Sequence, residues 1–152
     1  MSMGEVEGTL TFGSPEPNVR YTERRAAYVV IVTNDGKVAM VKGVGTVSGR
    51  PNYFLPGGGS SPDEAPEDTV TREVTEELKL TVRLVRKLGE VTQYFYAASD
   101  DRHYKMQAVF FAGEFTDQAC GVRGEHELYW LPVTKADEAC FHACHAWAVR
   151  QV

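Results

Sequence analysis

The chain has 152 residues, 43% hydrophobic and 24% charged, proportions of an ordinary globular protein that exclude wholesale disorder and collagen-like or coiled-coil architecture. Sixteen Lys and Arg against twenty-one Asp and Glu give a net charge of −5, the wrong balance for a broad face holding duplex nucleic acid. No run approaches the roughly eighteen apolar residues of a membrane span, Met1 to Glu7 is too acidic and polar for a signal peptide, and three cysteines make no disulfide framework, so a reducing cytoplasmic setting is expected.

Residues 8 to 18 are punctuated by Gly8, Gly13, Pro15 and Pro17 and are only loosely organised. Ala26 to Thr33, AAYVVIVT, is rich in β-branched residues and reads as a central strand. Asn34-Asp35-Gly36 supplies a tight hairpin turn and Lys37 to Lys42 the returning strand. Gly43 to Pro51 is a loop without the ending of a nucleotide P-loop, and Tyr53 to Leu55 is a short apolar run leading into Pro56-Gly57-Gly58-Gly59. Pro66 to Leu78 is the clearest helix, opened by proline although Ala65 supplies no capping side chain. Leu80 to Ala98, with Gly89 as a point of interruption, Tyr104 to Phe115 and Glu127 to Leu131 read as strands. A final helix is expected from Ala136 to about Val149. This order predicts an α/β fold in which a mixed β-sheet is covered by helices on both faces.

The chemistry concentrates between Gly57 and Leu80. With about 100° per helical residue, Glu77 lies about 40° to one side of Glu73 and Glu76 about 60° to the other, so three carboxylates share one edge beside the apolar stripe Val70, Val74 and Leu78. Like charges so crowded repel, and a divalent cation offsets them better than Arg72 alone. Oxygen donors favour Mg²⁺, with Mn²⁺ also suited, over zinc. The glycines bring bare backbone close to a ligand, whether through carbonyls toward a cation or N–H groups toward phosphate.

Glycine, then Glu64, then Arg72-Glu73 and Glu76-Glu77 in this spacing resemble the Nudix hydrolase (MutT-like) family. Its box is Gly, five residues, Glu, seven residues, Arg-Glu, an aliphatic, any residue, Glu-Glu, any residue, Gly, an aliphatic. The matching positions are Gly58, Glu64, Arg72, Glu73, Val74, Glu76, Glu77 and Leu80, with Leu55-Pro56-Gly57 as the common lead-in. Lys79 stands where the family usually has the glycine that ends the helix, Asp63 where glycine often precedes the glutamate, and Ala65 leaves the helix uncapped. A looser resemblance runs from about 22 to 150, implying one domain over residues 1–152, as a monomer or homodimer.

The resemblance implies a Nudix fold and metal-dependent cleavage of a pyrophosphate linkage in a nucleoside diphosphate derivative, the preferred substrate being a small phosphorylated nucleotide such as a nucleoside triphosphate. ADP-ribose, sugar nucleotides and dinucleoside polyphosphates are alternatives, as is a nucleotide sensor without catalysis. It assigns Glu73, Glu76 and Glu77 as catalytic and metal-binding, Gly58 as a metal ligand through its backbone oxygen, and Glu64 and Arg72 as structural support. Glu125 or Glu127 is the implied distal ligand, with a surface charge beside a strand as the competing reading. Phe54, Tyr94, Tyr96 and Tyr104 are candidates to stack on a base, with core packing as the competing reading. Arg102, His103 and Lys105 read as a solvated turn before phosphate contacts. Ala136, Cys140, Ala143, Cys144 and Trp147 read as a helical packing stripe, since His142 cannot join Cys140 on one face, and Cys120 falls in a loop.

Overall fold

A computed structural model describes residues 10–43, 52–118, 124 and 126–152. Cys120 and most of the glycine loop after Gly43 lie outside them. Among the described residues, eight strands and three α-helices follow in chain order: β1 (Leu10–Phe12), β2 (Tyr21–Val30), β3 (Lys37–Lys42), β4 (Tyr53–Phe54), β5 (Gly57–Gly59), α1 (Pro66–Leu78), β6 (Leu80–Ala97), β7 (Arg102–Gln118), β8 (Leu128–Pro132), α2 (Ala136–Ala139) and α3 (Ala143–Arg150). They build a five-stranded mixed sheet in the order β1-β6-β7-β2-β5 and an antiparallel three-stranded sheet in the order β4-β3-β8. Among the described residues no helix is long and apolar enough to cross a membrane.

The continuous apolar run from Ala26 to Ile31, in the second half of β2 and just beyond, follows from burial on both faces. Ala26, Tyr28 and Val30 join a core cluster with Cys144, Ala146, Ala148 and Val149 of α3. Ala27, Val29 and Ile31 join Val70 and Val74 of α1 and Phe111 of β7. Period-two alternation thus divides one strand between two helical layers, the α/β/α arrangement expected from the sequence.

Three expectations change in detail. The turn at residues 34–36 forms, with Gly36 N donating to Thr33 O at 3.1 Å and Thr33 N to Lys37 O at 2.8 Å. Its arms nevertheless separate into different sheets, joined by the bridge Val32–Val38, because β2 takes β7 and β5 as its long partners. β2 also starts five residues before Ala26, where Tyr21 to Arg25 pair in parallel with His103 to Gln107. The expected final helix is two helices. Cys140 and His142 take extended backbone, Cys140 bridges Tyr53, and Phe141 N donates to Tyr53 O at 2.9 Å. Pairing with β4 interrupts the helix, so Cys140 and Cys144 share no helical face. Cys144 alone lies in the core cluster, with Cys140 packed against it.

Candidate active site

In the three-glycine strand β5, Gly57 and Gly58 stand where a side chain would collide with its surroundings. Gly57 has φ +140°, and a Cβ there would come within 2.2 Å of Ala27 O. At Gly58 a Cβ would lie 2.7 Å from the Glu73 carboxyl carbon. β5 pairs antiparallel with β2, Ala27 opposite Gly58, flanked by hydrogen bonds from Val29 N to Pro56 O (3.0 Å) and Ser60 N to Arg25 O (2.8 Å). That alternation turns the backbone groups of Gly58 toward β2 and those of Gly57 and Gly59 toward α1. The sequence reading singled out the Gly58 carbonyl; the ladder makes Gly57 and Gly59 the glycines whose carbonyls face the carboxylate helix.

α1 begins with Pro66 at its first turn and no side-chain cap, and buries Val70, Val74, Leu78 and most of Glu77. Lys79 ends it in the left-handed region, φ 56° and ψ 38°, donating its N–H to Thr75 O at 3.0 Å. A non-glycine residue there costs about 1–2 kcal/mol. Arg72 ties the helix to the preceding loop. Its Nε and Nη2 reach Glu64 at 2.8 and 3.0 Å, Nη2 reaches Gly59 O at 3.0 Å, and Nη1 reaches Glu73 at 3.0 Å. Glu64 also accepts from Ser61 N (3.0 Å) and the Thr69 hydroxyl (2.9 Å). The Arg72 fork and these donors hold the Glu64 carboxyl down to about 2, and Glu64 in turn drives Arg72 upward.

The three carboxylates of the helix edge differ in exposure. Glu77 is 8% exposed and its Oε1 accepts Gly57 N–H at 3.2 Å. Glu73 is half-buried, and desolvation raises its carboxyl above the ordinary value against the pull of Arg72 and Arg24. Glu76 is exposed on the outer side, 3.4 Å from Arg72. Glu73 and Glu77 border a cavity of about 730 Å³; Glu76 does not line it. Among the described residues no three His, Cys, Asp or Glu side chains converge as a metal cluster.

Opposite the carboxylates the cavity wall is aromatic. Phe54 stacks on Phe141 at 5.3 Å, and Phe95 stacks on Tyr104 at 5.3 Å while meeting the His142 ring edge-on at 4.5 Å. Phe54 and Tyr104 therefore line the cavity, as the sequence suggested. Tyr94 and Tyr96 do not. They point to the other side of β6, where Tyr94 packs on Tyr21 at 5.2 Å and Tyr96 on His103 at 4.9 Å. His103 belongs with them, and neither Arg102 nor Lys105 lines the cavity. Phe95 also lines the cavity, and a run of aromatics does not by itself show which strand phase faces inward.

Glu127 is exposed, with Tyr129 Oη donating to it at 3.4 Å, and is not among the cavity-lining residues. Glu125 lies outside the described residues. Its neighbours dock on the end of α1: His126 N donates to Glu77 O at 2.8 Å, a Cβ at Gly124 would come within 2.1 Å of that oxygen, and His126 lines the cavity. Three further residues escaped the sequence reading. Arg24 lines the cavity with a buried Nε that finds no acceptor among the described residues, a condition costing about 1–3 kcal/mol. His145, fully buried, accepts Leu55 N–H at Nδ1 (3.1 Å), so its proton resides on Nε2, which also lacks an acceptor among the described residues. Asn52, 6% exposed, borders the cavity beside Phe54.

The family model described as the NUDIX domain matches residues 22–151, and the chain belongs to the Nudix hydrolase family. No curated protein matches it by sequence. Among solved structures it is similar to a NUDIX hydrolase from Nitrosomonas europaea, with 14% identity over 86% of this chain and 88% of that one, at a TM-score of 0.68. It is also similar to a MutT protein from Methanosarcina mazei Go1 (22% identity, 88% and 95% covered, TM-score 0.63) and a MutT NUDIX hydrolase from Burkholderia pseudomallei (22% identity, 86% and 98% covered, TM-score 0.61). At these identities the likeness speaks to the fold.

Proposed function

We propose that the protein hydrolyses a pyrophosphate linkage in a small nucleoside diphosphate derivative, such as a nucleoside triphosphate, with Mg²⁺ or Mn²⁺ as cofactor. The observation that carries this is a cavity bordered on one side by Glu73, Glu77 and a glycine strand and on the other by stacked aromatic rings. Its volume suits a nucleotide.

The donor set fits a hard divalent cation. It offers carboxylate oxygens of Glu73 and Glu77, with Glu76 on the same helix edge, and carbonyls of Gly57 and Gly59 turned toward them. The glycine at 58 leaves the space that the Glu73 carboxylate fills. When bound, such a cation neutralises diphosphate charge and acidifies water. The rest is work for the chain's own residues. Arg72 and Glu64 fix the loop against the helix, so that Glu73 is held by Nη1 and Glu77 by Gly57 N–H before substrate arrives. Phe54, Phe95 and Tyr104 receive the base and exclude water from one side.

Purified protein incubated with nucleoside triphosphates, ADP-ribose, sugar nucleotides and dinucleoside polyphosphates, with and without Mg²⁺, tests the reading. Metal-dependent release of a nucleoside monophosphate is the expected result. A nucleotide sensor on the same scaffold is the second reading, kept open by Lys79 at the end of α1, where the family usually has glycine. Tight nucleotide binding without product selects it.

A further inference from the structure

Two adjacent arginines on β2 meet different fates. Arg25 faces the α1 side, where its Nη2 donates to Ser61 O at 2.9 Å and Pro62 O at 2.8 Å. Arg24 falls on the opposite face, in line with buried Ala26, Tyr28 and Val30, and carries that row into the cavity. Its guanidinium rests against Gly59, where a Cβ would come within 3.4 Å of both Cζ and Nη2. Its Nε is buried without an acceptor among the described residues. Arg24 shares the cavity lining with Glu73 on the carboxylate side and with Tyr104 and His142 on the aromatic side.

An arginine that serves only the fold is matched by acceptors, as Arg72 is by Glu64 and Gly59 and Arg25 by two carbonyls. Arg24 instead turns toward the Tyr28 hydroxyl, while its Nε, beside the cavity, finds no acceptor among the described residues. Lys42, also at the cavity, has its ammonium 5.9 Å above the Tyr53 ring.

We propose that Arg24 binds the phosphate that carries the nucleoside, so that the linkage to be cut lies toward α1 and the base toward Phe54 and Phe95. This rests on the nucleotide reading above. A guanidinium offers two parallel N–H donors to two non-bridging phosphate oxygens, which an ammonium cannot reproduce. Arg24 is thereby a determinant of substrate direction: a diphosphate lacking a nucleoside leaves the aromatic wall empty, and a nucleoside lacking phosphate leaves the fork unmatched.

Calorimetric titration of the full chain with adenosine and guanosine 5′-monophosphates, without divalent cation, separates this contact from turnover. The wild type is expected to bind at least one of them, and Arg24→Gln to weaken that binding about tenfold or more, the scale of a lost charge-assisted fork. Arg24→Lys recovers part of the loss, because charge returns without the fork geometry. In turnover both substitutions raise KM for the preferred nucleotide and largely keep kcat. Circular dichroism establishes the fold of each variant, and Arg24→Lys carries the test if the glutamine variant does not fold. Unchanged monophosphate affinity in a folded variant, a fall in kcat at constant KM, or a wild type that binds neither monophosphate overturns the proposal. A wild type that binds through Arg24 yet cuts nothing retires the hydrolase reading and keeps this one. A wild type that cuts nucleotides with a KM indifferent to Arg24 does the reverse.

Discussion

The two sides of the cavity hold ionisable side chains in opposite ways. On the α1 side charge is kept and matched: Glu64 accepts from Arg72, Ser61 and Thr69, Arg72 reaches on to Glu73, and Glu77 takes the Gly57 N–H. On the α3 side charge is suppressed. Burial, reinforced by Arg24, takes His142 down to about 3, and burial beside His142 takes His145 well below its ordinary value. Burial likewise pushes the thiols of Cys140 and Cys144 up to about 12. Residues of similar chemical repertoire thus serve a charged ligand in one place and act as packing atoms in the other. The difference lies in whether hydrogen-bond partners accompany the group as it leaves water.

The largest effect expected from disturbing the charged side is on turnover. Glu77→Gln keeps an acceptor for Gly57 N–H but removes the charge, and should lower metal-dependent turnover by about 10²-fold or more, the scale of a lost electrostatic or acid–base contribution. Product release assays paired with circular dichroism check it. Near-normal turnover in a folded variant would erase the functional half of the comparison.

Acid should separate the two sides by pH window. A histidine held neutral by burial binds its proton more readily once the chain unfolds. The stability it confers is complete above pH 6.5 and declines as pH falls toward 3 for His142, by at most about 1.4 kcal/mol per pH unit. Glu64 obeys the same direction for a different reason: its lowered carboxyl stabilises the fold above pH 4.5, and that contribution disappears as pH falls toward 2. Urea unfolding across the range should show His142→Phe reducing the slope of the upper window, to which buried His145 also contributes, and Arg72→Gln that of the lower one. A single window moved by both substitutions would mean that the two sides are not independent.

The smallest effect tests the end of α1. Lys79→Gly should relieve left-handed strain at φ 56° and raise stability by about 1 kcal/mol, or about 2–4 °C in Tm, without altering turnover. Thermal unfolding measures it. No gain would show that the lysine side chain compensates for its backbone.

How far each element was legible tracks the distance over which it is determined. Glu64, Arg72, Glu73, Glu76 and Glu77 lie within one loop and one helix, so a regular rise and turn were enough to place them on a shared edge. The aromatics of β6 were not placeable in this way. The strand shifts register against β7 between Thr81 and Val82, Leu84 and Arg86, and Lys87 and Gly89, and each shift makes its phase depend on its partner. Ala136 to Val149 has helical composition throughout, yet the strand at Tyr53 captures the backbone at Cys140 and Phe141 and divides it.

From its residues alone the chain determined that one helix would carry clustered carboxylates beside a glycine turn, that Ala26 to Thr33 would form a central strand, and that helices would cover the sheet on either side. These depend on period and spacing, which are local. Only the tertiary structure decided that Glu73 and Glu77 would face the cavity and Glu76 would not, that Phe95 rather than Tyr94 and Tyr96 would join the aromatic wall, and that Arg24 would enter the cavity while Arg25 held a loop. Those outcomes turn on which face of each element meets which neighbour, a choice made by packing between segments far apart in the chain.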